Sequence, residues 1–317
     1  MFSALNKTKS KVAILIPLYG RKEFTERFLQ YYNSRKCNFT FYISDGSKKK
    51  EFTQNYFNKK YKSLNIKYQR FNYDKNYVDF SFKLYQTVKS IKNEKYIYFC
   101  TNDDFFNINF LIKAEQFLEK NSTYNSVFGI MYKFRVTQIL SLINDHGFIS
   151  GIALQYNKYL DISSSNTNKR IKMFNQSYPW ESLTRKKILF EVFYMAYKFR
   201  VQNYFELTWF WLLIPLIKGK KKFLDKVSLA RQNNTYFNEG TNTTFIKITK
   251  KRYQEFCSFL EKKIILKFKL NKFIRSLDIE VNEHIKVSKK KKLLILVIKL
   301  KKKNHIFYFF ISIFIFM

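Results

Sequence analysis

The segment Val12-Ala13-Ile14-Leu15-Ile16-Pro17-Leu18-Tyr19-Gly20-Arg21 sets a short apolar run against a Pro and Gly break and a basic residue. The short apolar run at residues 12–16 reads as a first strand. It is too short for a secretory leader and lacks the small-residue cleavage site that one would carry. Pro17 and Gly20 break the strand, and Arg21 then stands at the opening of a helix, where a phosphate or a base edge can dock. Taken alone, the same letters describe an ordinary strand-to-helix turn.

The pattern continues downstream. Short β-rich runs at residues 39–44, 66–70, 96–101 and 127–133 alternate with amphipathic stretches at 22–34, 51–60, 80–92 and 108–120. Phe24, Phe28, Leu29 and Tyr32 show the helical spacing in the first of these. Such alternation predicts an α/β fold with a Rossmann-like, mostly parallel sheet and flanking helices, whose ligands gather at the carboxyl ends of the strands. Beyond 133 the pattern loosens into a strand at 149–156, a polar loop at 163–168, a helix at 187–199, an apolar helix at 204–217 and a strand at 223–230. After Thr241 the chain is Lys-rich, with an amphipathic helix at 253–268.

Composition narrows the function classes. With 317 residues the chain holds about two domains, or one large domain with an appendage. Its 46% hydrophobic content is enough for a sizeable core. The net charge of +36 invites a nucleic-acid or anionic-membrane partner. However, the whole composition leans toward Lys, Asn, Ile, Phe and Tyr, as an AT-rich coding sequence does regardless of function. No specific nucleic-acid binding is therefore expected, and no RNA- or DNA-binding signature is present. Cys37, Cys100 and Cys257 are widely spaced, and His146, His284 and His305 have no zinc-hydrolase spacing, so neither a disulfide framework nor a structural zinc site is indicated. The apolar end at 306–317 follows two Lys clusters and is too short to span a bilayer. It reads as an interfacial anchor on anionic lipid or as a degenerate tail.

Polar residues gather after three of the strands. Asp45-Gly46-Ser47 puts a carboxylate where it can accept from a nucleobase N–H or ribose hydroxyls, although Asp-Gly is also a common turn signal. Asn102-Asp103-Asp104 sets adjacent carboxylates at the exit of a buried strand, where a divalent cation with substrate phosphates would neutralise them. The alternative is a cap for the following helix.

In order and spacing, Ile16-Pro17-Leu18-Tyr19-Gly20-Arg21, Asp45-Gly46-Ser47 and Asn102-Asp103-Asp104-Phe105 resemble the motifs of GT-A glycosyltransferases, in particular family-2-like bacterial enzymes. The likeness continues through Phe117 to Asn121, Tyr124 and Gly129, and more faintly to Gly219 and Leu229-Ala230-Arg231-Gln232. Two positions depart from that family, with Gly20 in place of its usual Asn and Asn102 in place of the first acid of its D-x-D.

The resemblance implies a GT-A domain with a nucleotide-sugar-binding half at 1–133, an acceptor-binding half at 134–240 and a basic helical tail at 241–317. It implies a nucleotide-diphosphate sugar as donor, held by Pro17, Tyr19, Arg21, Asp45, Asn102 and Asp103, with Mg²⁺ or Mn²⁺ on Asp104. An inverting transfer also needs a general base, for which Glu206, before Leu207-Thr208-Trp209, fits best and Glu181, after Tyr178-Pro179-Trp180, comes second. Glu206 reads equally as a helix-N-terminal acid, and the aromatics beside Glu181 as core. The expected acceptor is a cell-surface glycan or its lipid-linked precursor, with the enzyme in the cytoplasm or peripheral on the inner membrane face. An inactive relative and a basic nucleic-acid-binding protein are the alternatives.

Overall fold

β1 (Val12–Leu18) is buried along nearly its whole length. It pairs in parallel with β2 (Thr40–Asp45) on one side and with β4 (Tyr96–Phe99) on the other, while β3 (Asn65–Arg70) extends the sheet beyond β2. The computed structural model describes residues 10–136, 149–155, 160–173, 182–233 and 250–264. Val12, Ile14, Ile16 and Leu18 enter a core with Phe28, Leu29 and Tyr32 of α1 (Lys22–Ser34), Phe57 of α2 (Gln54–Lys60) and Phe110, Leu111, Ala114 and Leu118 of α4 (Ile108–Lys120). The pleat sends alternate residues to the other face. There Ser44 bonds Thr87 of α3 (Tyr77–Ser90) at 2.8 Å, and Phe99 meets Trp211 of α7 (Tyr204–Lys218) edge-on at 4.8 Å. Layers on both faces explain why β1 is apolar at successive positions.

Five more strands complete a nine-stranded sheet among the described residues: β5 (Asp104–Phe106), β6 (Tyr124–Val136), β7 (Ile149–Gln155), β8 (Ser182–Arg185) and β9 (Lys220–Asn233). The order is β3-β2-β1-β4-β8-β6-β9-β5, with β7 on β6. The parallel pairing predicted from the alternation holds for β1 to β4 and for β6 with β9, whereas β8, β5 and β7 run antiparallel to their neighbours. The α/β class is as expected.

The chain leaves β1 toward β2 and β3, then crosses back to β4 on the opposite side of β1. This is the switch point at which open α/β sheets bind ligands.

Several details differ from the sequence reading. β1 runs through Pro17 to Leu18, in register with Ser44 and Asp45 of β2. β8 was not foreseen, because Ser182-Leu183-Thr184-Arg185 has one apolar residue; burial between β4 and β6 makes it a strand. Residues 163–168, expected as loop, give way to α5 (Thr167–Lys172), whose first turn is capped by Asn166.

Arginines close two helix ends. Arg185 donates to the carbonyls of Leu118, Asn121 and Tyr124, and Arg170 to those of Leu216 and Ile217. Part of the basic excess is thus spent inside the fold. α6 (Lys186–Phe199) packs on α3 and α7.

By contacts the chain divides into Met1–Thr249 and Lys250–Met317. In the second unit α8 (Lys250–Ile264) is described, with an Arg252–Glu255 ion pair at 3.2 Å. The Lys clusters and the apolar end beyond it lie outside the described residues. Among the described residues no helix is long and apolar enough to cross a membrane.

Candidate active site

The β1–α1 connection turns through two consecutive left-handed residues, Gly20 at φ 81° and Arg21 at φ 63°. Gly20 has nothing within 4 Å of where a Cβ would stand, so space does not demand glycine; the backbone conformation does. Asn is among the few residues that tolerate it, so Gly20 and the Asn usual in the resembled family meet one requirement. The Gly20 amide donates to Ser47 Oγ at 2.6 Å, tying the β1 end to the β2 end.

Arg21 lies with its guanidinium 4.0 Å from the Phe24 ring centroid, and its Nη1 is 3.0 Å from Asp103 Oδ2. Its Nη2 is buried with no hydrogen-bond partner among the described residues. A buried, unmatched guanidinium donor at a strand-end turn is what an anion would satisfy. Tyr19 stacks on Tyr73 with centroids 5.6 Å apart, and their hydroxyls share a 2.6 Å hydrogen bond.

Asp45 is buried at the end of β2, with its carboxylate already engaged. Arg70 Nη1 lies 2.8 Å from Oδ1, the Ser47 amide donates to Oδ1 at 2.8 Å, and the Tyr68 hydroxyl donates to Oδ2 at 2.7 Å. Burial, then the Asp45 bond, pushes the Tyr68 hydroxyl up, which keeps it a donor. Arg70 stands opposite Asp45 in the parallel β2–β3 register.

Beneath this turn lies a buried ion pair between Lys83 and Asp74. The Lys83 ammonium also donates to the Leu18 carbonyl at 3.0 Å, and the Asp74 amide to the Gly46 carbonyl at 3.0 Å. A Cβ on Gly46 would overlap the Asp74 carboxylate, which is why Asp45 is followed by glycine. Burial is the largest influence on both groups: it pushes the Asp74 carboxyl up to about 6 and the Lys83 ammonium down.

Beyond β4, Asn102 turns toward α1, where its Nδ2 donates to the Arg21 carbonyl at 3.3 Å and to Thr25 Oγ1 at 3.0 Å. A carboxylate could not make these bonds, so the departure from an acid has a local reason. Asp104 opens β5, and its Oδ2 accepts from Thr101 Oγ1 at 3.0 Å and from Arg231 Nε at 3.2 Å. The cap of α4 is Asn107, not the 102–104 run.

Tyr19, Gly20, Arg21, Asp45, Ser47, Asn102 and Asp103 thus sit on neighbouring connections, several joined by direct bonds. Pro17 is placed by strand register. Glu206 is at the third position of α7, where its Oε2 accepts from the Gln202 amide at 2.8 Å and its amide donates to the capping Asn203 at 3.0 Å. None of these bonds reaches the strand-end residues. Glu181 and its aromatic neighbours lie outside the described residues. Sequence reasoning missed Tyr68, Arg70, Tyr73, Asp74 and Lys83, and gave Arg231 no role.

Among the described residues no group of three or more His, Cys, Asp or Glu side chains could hold a metal by itself. A magnesium-type ion that works on phosphates takes one or two carboxylates and completes its shell with phosphate oxygens and water. Asp104, with Asp103 beside it, supplies hard oxygen donors of that kind, so the residues fit an ion that arrives with its diphosphate.

No protein-family model matches the sequence, and no curated protein matches it. Among solved structures, S. aureus TarS 1–349 matches over 82% of this chain and 76% of that chain, with TM-score 0.46 and 13% identity. In another TarS structure, also at TM-score 0.46 and 13% identity, 70% of this chain matches and spans about a third (36%) of that chain. A structure of GalNAc-T7 with UDP, GalNAc and Mn²⁺ matches 86% of this chain and 55% of that chain, with TM-score 0.48 and 9% identity.

Proposed function

We propose that the chain is a glycosyltransferase that moves a sugar from a nucleotide-diphosphate donor to an acceptor hydroxyl, with inversion and with the help of a divalent cation. The observation that carries this reading is the convergence of the β1, β2 and β4 ends, through the Gly20–Ser47 bond, the Arg21–Asp103 pair and the Asn102 bonds to α1. A cluster of polar residues at the strand ends of a switch point suits a nucleotide. The buried, unmatched Nη2 of Arg21 suits an anion there.

Within that reading the residues divide the work. The Tyr19–Tyr73 stack and the Asp45–Arg70 pair border the nucleoside, with Arg70 offering donors to base carbonyls and Asp45 orienting Arg70 and Tyr68. Pro17 and Asn102 fix the backbone around Arg21. Arg21 and Asp103 flank the diphosphate, and Asp104, with Asp103 beside it, holds Mg²⁺ or Mn²⁺. The ion, when bound, offsets the charge that develops on the departing diphosphate. Glu206 takes the proton of the acceptor hydroxyl, which arrives from the 134–240 half. A cell-surface glycan or its lipid-linked precursor is the acceptor, and the basic tail would hold the protein to an anionic inner membrane face.

A thermal-shift titration of the full chain against nucleoside diphosphates and nucleotide sugars, with and without Mn²⁺, tests the donor site. Ligands that bind only the folded state raise its midpoint. Cation-dependent stabilisation by one nucleotide, lost in Asp104→Ala, is expected. Indifference of well-folded protein to the whole panel would reject the reading.

A further inference from the structure

Asp104 is the residue that the proposed function assigns to a divalent cation, and its Oδ2 already faces one positive group, the Arg231 guanidinium at 3.2 Å. The pairing is built into the sheet, because Asp104 and Arg231 stand opposite each other in the antiparallel β5–β9 register. Its two members are unequal. The Asp104 side chain is 4% exposed and Arg231 30%, so the guanidinium can leave without unpacking the core while the carboxylate stays fixed. Arg21 of the β1–α1 connection and Asp103, next to Asp104, form a second pair. A divalent cation alone would add two positive charges beside the Arg21 and Arg231 guanidinium groups, whereas a cation entering with the two negative charges of a nucleotide-sugar diphosphate would add none.

We propose that Arg231 is a counter-ion latch. It holds the Asp104 carboxylate while the site is empty, keeps a divalent cation off it, and transfers to the diphosphate when donor and cation arrive together. A guanidinium suits both partners, since its planar fork matches carboxylate and phosphate alike. The inference rests on reading this cluster as a diphosphate site.

The test is Mn²⁺ binding to the full chain, read from the electron paramagnetic resonance of free Mn²⁺, without nucleotide and then with a nucleoside diphosphate. Wild type and Arg231→Lys should bind the ion weakly alone and tightly with nucleotide. Arg231→Gln should bind it about tenfold tighter without nucleotide, the scale of one lost charge-assisted bond. Asp104→Asn added to that variant should remove the gain. If Arg231→Gln is less stable, Mn²⁺ alone should restore its melting midpoint. The latch is overturned if Arg231→Gln binds nucleotide-free Mn²⁺ no more tightly than wild type, or if the gain survives Asp104→Asn. Nucleotide stabilisation of wild type without that gain would spare the donor site and reject the latch. The gain without any nucleotide stabilisation would do the reverse.

Discussion

Gly20 and Ser47 belong to different strand-to-helix connections and are joined by a 2.6 Å hydrogen bond from the Gly20 amide to Ser47 Oγ. The bond locks the first two strand ends together, and Gly20 makes it from a left-handed conformation. Ser47→Ala should cost about 1 kcal/mol in denaturant unfolding and weaken nucleotide binding. Gly20→Asn should be nearly neutral and Gly20→Val clearly destabilising, since the constraint is backbone conformation and not space. Equal penalties for Asn and Val would contradict this.

Asn102 uses its amide as a donor twice, to the Arg21 carbonyl and to Thr25 Oγ1. Asn102→Asp restores the acid of the resembled motif but sets a carboxylate against a carbonyl. It should lower stability by about 1 to 3 kcal/mol at neutral pH, measured by urea titration. A variant as stable as wild type would mean that the amide bonds are dispensable.

How much of this was legible follows from where the information resides. The β1–α1 motif, the α1 periodicity and the β2 and β4 ends are local, and residues such as Phe28 and Tyr32 are buried as their spacing requires. Arg70 and Arg231 were not legible, because each meets its carboxylate through strand register, Asp45 with Arg70 and Asp104 with Arg231. Register between residues 25 or more positions apart is a property of the assembled sheet. The place of Glu206 in the first turn of α7 was legible as that of a helix-N-terminal acid, whereas its bond to the Gln202 amide was not.

Lys83 and Asp74 form a buried pair in which burial outweighs the partner at each group. Lys83→Met alone leaves Asp74 uncompensated beside Gly46 and should cost about 3 kcal/mol. Adding Asp74→Asn should recover most of that loss, because replacing both members of a buried pair is far cheaper than breaking it. A double-mutant cycle with no coupling would refute the prediction.

Glu119 anchors the starts of two strands, accepting from Lys11 Nζ and from the Tyr96 hydroxyl, each at 2.6 Å. The Lys11 bond, then the Tyr96 bond, holds its carboxyl at about 2, below the ordinary 4.5. A depressed carboxyl contributes stability that is complete above its unfolded value and lost as pH falls toward its folded one. The melting-point gap between wild type and Glu119→Gln should therefore be constant above pH 5 and close between about 4.5 and 2. The exposed setting keeps the gap small. A gap that widens on acidification would reverse the assignment.

Glu206 offers the sharpest separation of a structural from a chemical role. Its Oε2 accepts the Gln202 amide, and a glutamine in its place can accept the same bond through its amide oxygen. Glu206→Gln, which keeps the Gln202 bond, should thus melt closer to wild type than Glu206→Ala, which loses that bond at a cost of about 1 kcal/mol in stability. If Glu206 is the base, the glutamine variant should bind the donor normally and lose about a hundredfold or more in transfer rate, because an amide cannot take the acceptor's proton. Transfer undiminished in Glu206→Gln would confine the residue to the helix cap and send the search for the base elsewhere in the acceptor half.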